Sequence, residues 1–125
     1  RSIEFRLFVE NKPTEKGIFI NDLQWKEFKQ HLPKLEFAFS SFLSYGEENA
    51  YRVDLGNLHY AEFNPRFPCI QLRRYYEDRK TQAERPTHQG ITFSMQALQD
   101  LKKILPFIED AIANVSILPS FYSQM

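Results

Sequence analysis

Hydrophobic residues along this chain follow two rhythms. Alternation at Ile3, Phe5 and Leu7, and again at Ile70 and Leu72, suits strands with one buried face. The glycines at positions 17 and 90 each restart the chain into a short β-branched or aromatic run, read as a further strand. The spacing then changes to 3, 4, 3, 4: Trp25, Phe28, Leu32, Leu35 and Phe39 in one segment, Leu98, Leu101, Leu105, Ile108 and Ile112 in another. Each series predicts a helix with a single apolar stripe. Asn21 and Ser94 stand where N-caps belong, and Gln24 makes a capping box with Asn21. Pro33 and Pro106 fall inside these helices. A proline there removes an amide donor and clashes with the carbonyl four residues back, which predicts a kink or break in each. Two more strands, Tyr51 to Leu55 and Leu58 to Phe63, meet at Gly56-Asn57, a dipeptide that tolerates the positive φ of a tight turn.

The two rhythms occur twice in the same order. "GIFINDLQWKEFKQHLPKLEFAF" from Gly17 lies over "GITFSMQALQDLKKILPFIEDAI" from Gly90 without a gap, matching Lys29 to Lys102, Leu32 to Leu105, Pro33 to Pro106 and Glu36 to Glu109. Upstream of each glycine, "IEFRLFV" overlays "IQLRRYY", which sets Arg6 on Arg73. The chain therefore reads as α+β with tandem ββββα repeats, the first lacking its first two strands in this chain. Residues 1–39 form the partial first repeat, 40–50 a connector, 51–115 the complete second repeat and 116–125 a tail, all within one compact unit. The missing strand pair is expected upstream of Arg1, unless the remaining strands complete the sheet another way.

Composition narrows the chemistry. At 125 residues and 42% hydrophobic content, the chain is expected to bury a core without disulfides or metals. Its single cysteine, Cys69, excludes an intrachain disulfide and favours a reducing compartment. His31, His59 and His88 are scattered without metal-ligand spacing, and the carboxylates Glu77, Asp78 and Glu84 have no partnered nucleophile. We therefore expect no catalytic residues, no metal and no cofactor. No apolar stretch reaches the length of a membrane span, so a soluble protein without membrane attachment is expected. Sixteen basic and sixteen acidic residues cancel, which argues against a strong sequence-independent grip on duplex DNA. Between Arg66 and Arg85, however, six basic residues face three acidic ones.

That basic segment contains "IQLRRYY" and leads at Arg85 into "RPTHQGITF". With Leu55-Gly56-Asn57, the His59-Tyr60 strand and the helix ending in "IEDAI", it resembles the core domain of the positive cofactor four family of single-stranded-DNA-binding transcriptional coactivators. Where that family is lysine-rich, this chain has Asn57, Pro68 and Gln89. The resemblance implies twisted antiparallel sheets whose concave face binds extended single strands. It also implies pairing of helices, here two helices packed in an intramolecular pseudo-dimer.

In that reading Tyr76 stacks on a base and Arg73 meets a phosphate, while Arg85, Pro86, His88 and Gln89 belong to a loop that closes over the strand. Arg66, Phe67 and His59 complete the set. Arg6, Lys12 and Lys16 are the first-repeat equivalents, with Val9 in place of the stacking aromatic. Tyr75, next to Tyr76 on the strand, is expected in the core.

The implied partners are single-stranded DNA or RNA and transcription or replication proteins, with further self-association, at a nuclear or other intracellular site of transcription. The competing reading is an assembly module of a transcription complex that kept the fold and lost the nucleic acid. A tandem purine-rich-element-binding repeat would also bind single strands, but gives no reason for the "RPTHQG" loop.

Overall fold

The computed structural model describes residues 2–113, and the side chains of all of these except 2, 7–9 and 109–113. The expectations for Val9 and Ile112 thus concern side chains outside the description, and the tail 116–125 lies outside it altogether.

The element order is β1 (Ser2–Val9), β2 (Lys12–Asn21), α1 (Asp22–Tyr45), β3 (Tyr51–Gly56), β4 (His59–Asn64), β5 (Phe67–Glu77), β6 (Glu84–Phe93) and α2 (Met95–Ala113). It is a mixed α+β fold with one antiparallel sheet of two strands, β1-β2, and one of four, β3-β4-β5-β6. The predicted strand and helix types all form. Two boundaries differ. The loop between β3 and β4 is Asn57-Leu58, both at positive φ, so the turn is centred one residue later than Gly56-Asn57. Helix α1 continues past Phe39 to Tyr45, because Phe42 still finds the core at Phe63, and it ends where the Gly46 amide bonds back to the Phe42 carbonyl.

Both helices run through their prolines unbroken. Pro33 and Pro106 sit on exposed faces, and apolar residues before and after them are clamped in the core: Phe28, Leu32, Leu35 and Phe39 in α1, Leu98, Leu101 and Ile108 in α2. Tertiary packing therefore offsets the lost donor. The start of α1 carries the predicted capping box. Asn21 Oδ1 accepts from the Gln24 amide and Gln24 Oε1 from the Asn21 amide, both at 2.8 Å. Gln24 also donates to the Gly56 carbonyl at 2.9 Å, tying the helix to the β3–β4 turn. Ser94 caps α2 through its Oγ, which accepts from the Ala97 amide at 3.1 Å.

A single core joins the elements. Phe5 of β1, Trp25 and Phe28 of α1 and Phe93 of β6 form a chain of ring contacts at 6.0–6.4 Å, and Phe39 stacks on Phe63 at 5.2 Å. The apolar stripe of α1 thus faces the sheets. Its link to α2 is polar: Glu36 accepts from Lys102 at 2.9 Å and from Gln99 at 3.1 Å, and the Lys102 bond first of all holds the Glu36 carboxyl below its ordinary pKa.

The two hairpins β1–β2 and β5–β6 share their register about the glycine and several side-chain bonds. Arg6 lies opposite Gly17 and Arg73 opposite Gly90; the register then shifts in both, bringing Phe8 opposite Pro13 and Tyr75 opposite Pro86. Each arginine donates from Nη1 to a threonine carbonyl at 2.8 Å, Arg6 to Thr14 and Arg73 to Thr87. Each threonine hydroxyl accepts from the amide two residues on, Lys16 at 3.2 Å and Gln89 at 3.1 Å. The hairpins meet reciprocally: β2 lies beside β6, β1 touches β6, and β2 touches β5.

Substituting Asn21→Ala removes both the acceptor for the Gln24 amide and half of the capping box. It should cost about 1 kcal/mol in a urea denaturation series.

Candidate nucleic-acid interface

Residues directly opposite one another in an antiparallel ladder share a face. In β4 and β5 the buried set is Ala61, Phe63, Ile70 and Leu72, with His59 continuing it. His59 is 7% exposed, and its Nδ1 bonds the Asn57 carbonyl at 2.8 Å. Its even spacing from Ala61 and Phe63 turns it inward, so it is a structural residue and not an open contact.

The opposite, outer face carries Asp54 against Tyr60, Arg52 against Glu62, Glu62 against Gln71 and Tyr60 against Arg73. Tyr75, two residues beyond Arg73, joins them. Tyr60 and Tyr75 meet edge-to-face at 5.2 Å, and the Arg52 guanidinium lies 3.8 Å above the Tyr60 ring and 5.0 Å from the Tyr75 ring. Tyr75 is therefore a half-buried residue of the outer face and not a core ring. Tyr76 points the other way, with Arg74, and is 48% exposed. Neither tyrosine is in the core: Tyr75 lies on the outer face, and Tyr76 lies on the inner side beyond Leu72, the last buried residue of β5.

The predicted residues come together at three places. Arg73, His88 and Lys16 line one cleft of about 570 Å³ between β2 and β6, with Thr14, Glu15, Gly90, Ile91 and Thr92. Tyr76 and Arg85 face each other near the free end of the β5–β6 hairpin, with Pro86 opposite Tyr75. There Arg85 Nε is paired with Asp78 at 3.1 Å. Asp78 organises the loop: its carboxylate accepts from the Lys80 and Thr81 amides, and these bonds, then Arg85, hold its pKa below the usual value. Gln89 accepts from Arg74 at 3.2 Å and so braces the strand. Arg66 and Phe67 lie at the β4–β5 turn; Phe67 is 69% exposed but is six strand residues from Arg73, roughly 20 Å away. Lys12 stands exposed at the β1–β2 turn.

The hairpins differ in what stands beside the arginine. Arg6 is neutralised: its guanidinium donates to Glu4 from Nε at 3.0 Å and also from Nη2. In "IQLR" the matching position is Gln71, and Arg73 forms no ion pair among the described residues. The Arg73 guanidinium lies over Gly90, so close that a Cβ there would collide with it. The glycine is the notch that lets the guanidinium into the cleft.

Sequence reasoning missed Arg52, Tyr60 and Tyr75 as site residues. The signal was present. Period-two alternation sets Tyr75, not Tyr76, beside Arg73.

The fold and site together define a small α+β domain whose four-stranded sheet presents arginine and tyrosine on an open face. Residues 57–104 match the family model described as Transcriptional Coactivator p15 (PC4), a span from the β3–β4 turn into α2. No curated protein and no solved structure matches the chain.

Two outcomes follow from this geometry. Tyr75→Ala should cost about 1 kcal/mol by chemical denaturation, the scale of an aromatic pair, and not the 3 kcal/mol or more of a core ring. Tyr60 donates to Glu84 at 2.6 Å, and that bond, then burial, pushes its pKa up to about 12 from 10.0. A raised folded-state pKa gives stability that is complete below the unfolded value and lost as pH climbs through the folded one. Stability should thus fall between pH 10 and about 12, and Glu84→Gln should shift the Tyr60 absorbance titration downwards.

Proposed function

We propose that this protein binds single-stranded nucleic acid, largely without reading sequence, through the outer face of β4 and β5 in a transcription-related role. The observation that carries this reading is the juxtaposition there of two tyrosine rings, a stacked guanidinium and an arginine with no carboxylate partner among the described residues. Unpaired bases stack on aromatic rings and guanidinium planes, at about 1 to 3 kcal/mol per base on an aromatic side chain, and cations follow the phosphates. Arg52, half exposed above Tyr60, offers such a plane, and Arg73 offers the charge. The match of residues 57–104 to a transcriptional coactivator family supports the same role. It also supports transcription proteins as partners and an intracellular site of action.

The hairpins' shared bonds and reciprocal contacts support the reading of the chain as two copies about a pseudo-two-fold axis, the first incomplete. In that arrangement Glu36–Lys102 has its counterpart positions at Glu109 and Lys29.

A second reading, an assembly module, is favoured by a run of exposed apolar side chains late in α1: Phe37, Leu43 and Tyr45. Fluorescence anisotropy with labelled oligo-dT and with a duplex, over a range of salt, separates the two. Single-strand binding is expected to exceed duplex binding and to weaken with salt; no binding to either at low salt would favour the assembly module.

A further inference from the structure

We infer that the outer edge of β1 is a self-association surface, where two copies of the chain join by antiparallel pairing of β1 with β1, centred on Phe5, into one continuous sheet ordered β2-β1-β1-β2. The partner is a second copy of this chain. The inference needs no nucleic acid and stands apart from the single-strand reading.

Three observations carry it. First, β1 is an edge strand. Among the described residues it bonds β2 on one side and no strand on the other, whereas the matching strand β5 carries β4 on the corresponding edge, along Ile70 to Arg74. The overlay of "IEFR" on "IQLR" sets that edge at Ile3 to Leu7. The same scaffold thus takes a strand at one hairpin and presents a bare ladder at the other, and a row of unpaired amides and carbonyls is a template for a further strand. Neither proline nor lysine, the residues that blunt such an edge, occurs from Ser2 to Val9.

Second, β1 is complementary to itself. An antiparallel pair about a two-fold axis through Phe5 sets Ile3 opposite Leu7 and Glu4 opposite Arg6, each of them twice. Ile3 and Phe5 are buried on the inner face, and Glu4 and Arg6 alternate with them onto the outer one. Glu4 and Arg6 already bond each other within the strand, so the dimer exchanges each such ion pair for the same pair made across the axis and leaves no charge stranded. Third, the other edges are committed. β3 also alternates arginine and acid, but Asp54 accepts from the Gly56 amide at 2.8 Å, and Arg52 is held 3.8 Å above the Tyr60 ring and 3.8 Å from Glu62. β2 and β6 face each other across the cleft.

The charge pattern supplies the test. Sedimentation equilibrium over a range of concentrations is run on wild type, on Glu4→Lys, on Arg6→Glu and on an equimolar mixture of the two variants, with circular dichroism to check each fold. Either variant alone sets like charges opposite one another at both facing positions. In the mixture every facing pair is again opposite in sign. Amide hydrogen exchange along β1, at low and high protein concentration, reads the surface itself. Glu4→Gln is included because the second hairpin already folds with a glutamine there, Gln71.

Wild type should dimerise, and amides of β1 should gain protection as the concentration rises. Each charge reversal should weaken the dimer about tenfold or more, and the mixture should recover it. Should a reversal not fold, Glu4→Gln is held to a several-fold loss of dimer affinity. A wild type that stays monomeric at every concentration overturns the proposal, and so does a mixture of folded variants that fails to pair. Association that ignores the charge changes and leaves exchange along β1 unaltered also overturns it, and would move the contact to another surface such as the exposed Phe37, Leu43 and Tyr45 of α1.

Discussion

The packing of Phe5 and Phe93 against Phe28 and Trp25 is the contact on which the architecture depends. Phe5 belongs to the two-stranded sheet and Phe93 to the four-stranded one, and among the described residues no backbone ladder bonds the two sheets together. What holds them is apolar area shared over one helix. Phe28, fully buried and stacked on Phe93, and Trp25, tilted on Phe5, let α1 serve both sheets at once. Burying rings of this size is the largest favourable term available to a chain of this length. The gap between β2 and β6 is a consequence: the sheets close on their inner faces, and the strand edges outside remain apart as a cleft.

Chemistry on the outside follows from how the inner faces are filled. His59, Ala61 and Phe63 of β4 and Ile70 and Leu72 of β5 turn to the core, so Arg52, Tyr60, Arg73 and Tyr75 are left together on the other side. The glycines opposite Arg6 and Arg73 differ in what they tolerate. At Gly90 an added Cβ meets the movable end of Arg73, whereas at Gly17 it meets the Phe5 carbonyl oxygen at 2.7 Å. The first notch is therefore bound into the fold, and the second mainly governs where a guanidinium can lie.

Much of the fold was legible in the sequence because local signals agreed with the tertiary result. The stripe from Trp25 to Phe39, the Asn21–Gln24 box and the alternation at Ile70 and Leu72 each required only nearest-neighbour chemistry. Those signals failed where distant packing decided. Phe42 extended α1, the clamped stripe carried it past Pro33, and burial in β5 ends at Leu72, so Tyr76 on the inner side stays exposed while Tyr75 goes to the outer face. The candidate site was half legible. Arg73 and Lys16 were named, but their meeting in one cleft required the sheets to be assembled, and His59 turned inward through the register of β4. The balance of Glu4 against Gln71 was readable in "IEFR" and "IQLR", yet it gained meaning only once both arginines were seen in the same pose.

The proposed binding mode places nucleic acid on the outer face and not on the helices. Amide chemical-shift mapping during titration with oligo-dT tests it most directly. Perturbations are expected at Arg52, Tyr60, Arg73, Tyr75 and Gly90, spreading into Lys16 and His88 across the cleft. Perturbations confined to Phe37, Leu43 and Tyr45 on α1, with the outer face silent, would contradict it.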